Sequence, residues 1–567
     1  MIRGHDENFS MQSARSGPAC APMRILIVLF WTGLLATMGG LTSCHRSETR
    51  AQRAAREGIL LVGNGAEPRS LDPHIASGVT EHHLLISILE GLVSEAPEGD
   101  GVAPGAAARW ESNEALDEWT FHLRPEGRWS NGDPVTAHDF VWAYRRILTP
   151  SLGGEYAAML YLLKGAEEFN QGKSTDPETI GAKALDDLTL RLSLVGPTPY
   201  FPNVLPHYAW FPVHAPSVLK HGRLDTRASR WTHPGHFVGN GPFQLKTWRF
   251  KHLIEVERNP YYWDAANVKL NGIRFLPIDN IPAEERMFRD GQLHVTETVP
   301  LDKIEYWRDK RPESYYVHPY LAVYFYRVNV TRPPLNDRRV RHALSLAIDR
   351  AAITKNILKA GQIPAVGLVP PVAGYTGPSV LKFDPVEARR LLAEAGFSES
   401  STVPRFDILF NVSESHRTTA EAVQQMWKSN LGISVGLNSQ DWGVYLDALQ
   451  RLDYDAARAG WTADYTDPIT FLDMWTTGNG NNMTGWSRPE FDALIAKSRT
   501  IRDDNERFAV LREAESLFLE DLPAIPLYVY VRNYLVSPSV TGWDRKLLDS
   551  RPWKHIGLRL NPPPDAP

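Results

Sequence analysis

Cysteine is almost missing: 567 residues hold two, Cys20 and Cys44, and none follows residue 44. That excludes a disulfide framework and a thiolate metal site from everything downstream. Also missing are a P-loop, a G-x-S-x-G elbow, an H-E-x-x-H pair and Cys/His zinc spacing. Glu81-His82-His83 is the nearest approach to a metal ligand set, but adjacent histidines on a helix point different ways and do not converge on one ion. No metal and no cofactor is expected. A formal charge of −5 argues against a dedicated nucleic-acid binder. Internal repeats are absent, and long apolar runs are confined to Ile25–Leu41.

What is present is size and aromatic content. A chain of 567 residues exceeds one compact domain, so two or three lobes are expected. The apolar share of 43% permits large cores. With 17 Trp, 20 Tyr, 21 Phe and 42 Pro, the composition suits a large loop-rich receptor or a carbohydrate enzyme, and both stay open at this point.

The N-terminus has its own pattern. Met23-Arg24 opens the apolar run, which ends in Leu41-Thr42-Ser43-Cys44. Charge, apolar core and small residues before a cysteine mark a secretory signal, and the run is short for a membrane span. Residues 45–57 are polar and are expected to be a flexible tether.

Several elements can be placed from local pattern. Trp119–Leu123 is a hairpin strand, and Asn131-Gly132 a turn. Thr136 caps a helix with Asp139 in its first turn and Phe140, Ala143, Tyr144, Ile147 and Leu148 on one face. Tyr315–Asn329 alternates, is rich in β-formers and is expected to cross between lobes. Further helices start at Asn336 or Asp337, at Asp384-Pro385 and near Asp503, and Pro523–Val531 is a buried strand.

The chemistry concentrates in Tyr454–Pro468. Tyr454, Ala456, Arg458 and Gly460 alternate as a strand, and Asp464–Pro468 forms its exit. Trp461 and Tyr465 flank Asp464, which would build an aromatic pocket with one fixed negative charge, suited to a ligand ammonium. The structural alternative is a turn-capping Asp464, with Arg458 paired to Asp455 or Asp467.

The stretch ARAGWTADYTDPITFL, with EPRSLDP at 67–73, LEGL at 89–92, Trp129–Phe140, Asn240–Phe243, Asn259–Trp263 and PPLNDRRVRHAL at 333–344, resembles the oligopeptide-binding lipoproteins of ABC importers. The Leu-x-Ser-Cys ending at Cys44 likewise resembles the bacterial lipobox. The resemblance covers roughly residues 60 to 540. It implies an α/β fold of the type II periplasmic-binding-protein kind, two lobes joined by a hinge, with an inserted extra domain. By segment it implies a lipoprotein signal peptide at 1–44, lobe I at 58–90, 214–321 and 532–567, an extra domain at 91–213, and lobe II at 322–531. It implies no catalytic residue, a peptide ligand, ABC permease subunits as partners, a lipid anchor at Cys44, a cell-envelope or periplasmic location and a monomer.

The same resemblance implies the site. Asp464 would hold the peptide's α-amino group beside Trp461 and Arg458, while the backbone at Gly78 and Val79 pairs with the peptide. Tyr156, Trp442 and His416 would lie near the ligand. Relatives can carry a cysteine pair at the positions of Ala322 and Thr462. Others carry an acid where this chain has Arg327, an arginine at Leu449, a lysine at Leu358 and an acid at Ser77. With Arg327 facing the cleft, a preference for short or acidic ligands is expected; the alternative is that Arg327 turns away or pairs with Glu297. A receptor of the same fold for a murein fragment, glycan or metal chelate, and a secreted hydrolase, are the competing functions.

Overall fold

A four-stranded sheet begins with Ile59–Gly63, whose apolar run pairs in parallel with Gly272–Leu276. Leu253–Arg258 and Phe243–Arg249 extend it antiparallel. The computed structural model describes residues 48–372, 374–397 and 403–560, less the side chains of residues 414, 442 and 443. The apolar run at 25–41 and Cys44 lie outside the described residues. Among the described residues no helix is long and apolar enough to cross a membrane.

The tether expectation is corrected over its described part. Arg50–Arg56 is a helix, because Thr49 and Gln52 close a reciprocal capping box and Ala51, Ala54 and Ala55 bury one face. Polarity suggested a tether; three alanines at helical spacing supply a small face that packs instead.

A separate four-stranded antiparallel sheet lies wholly within residues 107–193, in the order Ala107–Ser112, Glu118–Leu123, Thr189–Ser193, Ala182–Asp186. The helix Ala137–Ile147 begins at the expected capping box of Thr136 and Asp139. From its far end, Arg146 forms a buried fork with Asp72, at 2.8 and 2.6 Å. Burial would raise the Asp72 carboxyl, but the Arg146 charge and hydrogen bonds outweigh it and hold it below its ordinary value. The EPRSLDP wording is therefore scaffold. So is LEGL: Glu90 accepts hydrogen bonds from Tyr262 Oη at 2.5 Å and Trp263 Nε1 at 2.7 Å.

The largest sheet has six strands, in the order Ile363–Pro364, Ala524–Leu535, Tyr315–Val328, Ala456–Thr462, Phe406–Asn411, Val435–Gln440. Alternation sends Tyr324, Tyr326 and Val328 into a core with Val340, Ile408 and Trp427. Val323 and Phe325 face the opposite core, with Trp475 and Phe518. Tyr315–Val328 and Ala524–Leu535 pair antiparallel across the expected lobe boundaries. Their register shifts twice: Pro319 pairs with Val531 and pairing resumes at Val323 with Val529, so Tyr320, Leu321 and Ala322 stand against Tyr530 alone; then Tyr324 pairs with Tyr528 and Phe325 with Pro526, which skips Leu527. The helix caps at Asp337, Asp384 and Asp503 are all present.

Candidate functional site

The register break opens onto a cavity of about 290 Å³. Its first wall is the start of the helix Val79–Ile88. Gly78 has φ 148°, and a Cβ there would meet Glu81 Oε2 at 2.6 Å, so glycine leaves room where a side chain would not fit. Val79 is 45% exposed, and the Gly78 carbonyl accepts from the His82 N–H at 3.0 Å, so what the helix start can offer a ligand is its backbone N–H groups. The second wall is aromatic. Tyr156 packs on His207 with ring centroids 4.5 Å apart and on Tyr208 at 5.8 Å, with Asn203 and Pro206 beside them. The third wall is Tyr320 with Thr462, Ala463 and Asp464, held by the Ala463 N–H donating to the Leu321 carbonyl at 2.9 Å. Glu95 and Leu548–Ser550 complete the lining.

Asp464 has no hydrogen-bond or ion-pair partner among the described residues, and burial alone pushes its carboxyl up to about 6. The nearby histidines bring no charge to it. Burial, with a further push from His83, lowers His82 to about 3, and burial, with a push from His82, lowers His207 to about 3. His82 Nε2 lies 3.0 Å from Ser550 Oγ, and His207 Nδ1 accepts from the Ala209 N–H at 3.2 Å. His82 and His83 diverge, His83 going to Asn64, and no group of metal ligands forms among the described residues.

Of the expected site residues, Asp464, Gly78, Val79 and Tyr156 meet in this cavity. The aromatic partners expected for Asp464 do not. Trp461 Nε1 donates to Thr470 Oγ1 at 3.4 Å, and Tyr465 stacks on Tyr200 at 5.5 Å. Strand register sets Trp461 beside Val323, on the core face of the sheet, and the chain after Thr462 carries Tyr465 onto Tyr200, so the aromatic rings that line the cavity with the acid are Tyr156, Tyr208 and Tyr320. Arg458 lies outside the cavity as well. Its guanidinium donates to Asn411 Oδ1 at 3.3 Å and Tyr530 Oη at 3.1 Å and sits 5.1 Å over Tyr324. Neither proposed acid claims it: Asp467 pairs with Arg507 and Asp455 with Arg332. His416 packs near Tyr324 beside Arg458, and burial with that charge lowers it to about 4. Trp442 starts the helix Trp442–Gln450, and its side chain lies outside the described structure.

Arg327 is corrected outright. The register pairs Tyr326 with Arg458 and Arg327 with Ala457, so the two arginines occupy opposite faces of the sheet. Arg327 is 5% exposed, lies 5.7 Å over Trp475, and its Nε and Nη1 have no hydrogen-bond partner. Glu297 pairs with Arg532 instead, at 2.7 Å. Ala322 and Thr462 do stand directly opposite one another. Lys359, the base adjacent to Leu358, where relatives carry a lysine, lies 3.7 Å from Glu305. Sequence reasoning missed Glu95, His207, Tyr208, Tyr320 and Asp549; only Tyr320, in the long strand Tyr315–Val328, lay in an element already singled out.

Two lobes crossed by a strand pair, with a lined cavity at the crossing, define a ligand-capturing receptor of the type II binding-protein fold. The profile of the bacterial extracellular solute-binding proteins, family 5, matches residues 101–483, and the chain belongs to that family. It is 37% identical to the periplasmic oligopeptide-binding protein OppA of Salmonella typhimurium, over 91% of this chain and 96% of the relative. Among solved structures it is similar to the unliganded open form of the murein tripeptide-binding protein MppA, with TM-score 0.79 and 33% identity, covering 89% of this chain and 98% of that one. Against Haemophilus influenzae OppA in complex with RPPGFSPFR the TM-score is 0.73 at 34% identity, covering 88% and 99%.

Proposed function

We propose that this protein captures peptides in the cavity between its lobes and delivers them to the membrane subunits of an ABC importer. The observation that carries this reading is Asp464: a carboxylate raised by burial, without a counter-charge, in a cavity walled by aromatic rings. A peptide's α-ammonium supplies the missing charge, and the open backbone at Gly78 and Val79 offers pairing that does not read side chains. Arg458, with Asn411, Tyr530 and His416 around it and no acid partner, suits a carboxylate further along the ligand. The roles of Tyr156 and Trp442 beside the ligand belong to the same reading. The protein acts as a binding component without catalysis, as a monomer, anchored in the cell envelope through lipidated Cys44.

Native mass spectrometry of co-purified ligand, followed by calorimetry with free and N-acetylated tripeptides, tests the reading. Peptides in the mass spectrum, and affinity lost on acetylation, are expected. Equal binding of the two forms, or a co-purified glycan or metal chelate in place of peptide, would overturn it. For the anchor, Cys44→Ser should abolish incorporation of labelled fatty acid.

A further inference from the structure

The cavity beside Asp464 carries charge of one sign. Among the described residues three carboxylates line it, Glu95, Asp464 and Asp549, and no lysine or arginine does. Asp549 is already neutralised: Arg532 Nε reaches its Oδ2 at 2.7 Å and Arg551 Nη1 its Oδ1 at 2.6 Å. Glu95 is not. It ends the short strand Val93–Glu95, and its carboxylate has no hydrogen bond or ion pair among the described residues. Lys546, the cation whose field acts on it, sits outside the lining and donates to the carbonyls of Ala96 at 2.7 Å and Gly99 at 2.5 Å. Burial, only partly countered by Lys546, pushes the Glu95 carboxyl up to about 8. Each carboxylate would gain its charge back from a cation placed beside it.

Two uncompensated acids, brought to one cavity from segments more than 360 residues apart, match a ligand with two ammonium groups. A lysine at the start of a peptide has that form: an α-ammonium, and a second ammonium at the end of a flexible four-carbon stem. The aromatic wall of Tyr156 and Tyr208 suits the stem and favours the cation. We propose that Glu95 sets the specificity of this site for the first side chain, and that the cavity selects peptides beginning with a long cationic residue, the α-ammonium on Asp464 and the side-chain ammonium at Glu95. This rests on the peptide reading of the cavity, and it reverses the sign of the preference that Arg327 would have given.

The test is calorimetry with Lys-Ala-Ala and norleucine-Ala-Ala, whose first side chains share an apolar stem and differ in the terminal charge. Wild type should prefer the lysine peptide at least tenfold. Glu95→Gln, which keeps the shape, should bring the ratio to within about threefold. Lysine-peptide binding at pH 7.5 should also release more protons than norleucine-peptide binding, read from the dependence of the heat on buffer ionisation enthalpy. Equal affinities in wild type, or a preference that survives Glu95→Gln, would overturn the proposal. Should the variant fail to fold, the wild-type ratio and the proton release still decide. Loss of binding on acetylation with no lysine preference sinks Glu95 and leaves the ammonium clamp standing; acetylated and free peptides binding alike sinks both.

Discussion

Asp464→Asn is expected to move stability and affinity in opposite directions. In the empty protein the Asp464 carboxyl is raised from 3.8 to about 6 by burial. Two pH units correspond to about 3 kcal/mol between the protonated and charged forms, and water in the open cleft reduces the figure to about 1–3 kcal/mol. The sign follows from proton uptake. Between pH 3.8 and 6 the folded protein holds a proton that the unfolded chain has lost, so stability falls as pH rises, and the whole penalty is present above pH 6. Asparagine carries none of it. The ligand-free variant should therefore be the more stable protein at pH 7.5 by about 1–3 kcal/mol, and the difference should vanish below pH 3.8. Peptide reverses the order, since an ammonium stabilises only the wild-type charge: affinity should drop by about 2–5 kcal/mol in the variant. Urea unfolding of protein freed of ligand by refolding, at pH 7.5 and 3.5, with and without saturating tripeptide, reads both effects. A ligand-free variant less stable than wild type at pH 7.5, or tripeptide affinity within threefold of wild type, would refute the reasoning.

Arg327→Met should leave peptide affinity unchanged and raise the urea midpoint, because a buried guanidinium without an acid gives way to an apolar chain, a change worth about 1–4 kcal/mol where ion groups are poorly compensated; a lowered midpoint would refute it. Arg146→Met strands the Asp72 carboxylate that the arginine now holds in a buried fork, and should cost about 3–5 kcal/mol in equilibrium unfolding.

The parts of the fold legible in the sequence were those decided within a few residues. Thr136 with Asp139, and the aspartates at 384 and 503, cap helices by local hydrogen bonds that spacing locates, while the choice between Asn336 and Asp337 falls to Asp337 in the folded chain. The long strand from Tyr315 was equally plain from alternation. Resemblance added the meeting of Asp464 with Gly78, Val79 and Tyr156, which no local pattern contains. What stayed hidden depends on register or on distant partners. Arg327 and Arg458 look like neighbours until pairing puts Arg458 opposite Tyr326 and one arginine on each face. Trp461 and Tyr465 flank the acid in sequence, yet strand register turns Trp461 to the core face and Tyr465 stacks on Tyr200. Glu95 and Asp549 sit in ordinary loop-like wording, and only the folded chain brings them to the same cavity as Asp464.

The broken register at Tyr320–Ala322 has a mechanical consequence. On either side of it the two crossing strands are paired, from Tyr315 to Pro319 and again from Val323 to Arg327, the second stretch skipping only Leu527 of the partner. These three residues are the longest unmatched stretch in the strand pair, where rotation of one lobe against the other would meet the least resistance, and Tyr320, the first of them, is also a wall of the cavity. A ligand in this cavity would rest on the flexure itself and not at the tip of a jaw. That geometry has a short input arm and a long output arm: a shift of an ångström forced on Tyr320 becomes a much wider arc at the lobe rims farthest from the cavity.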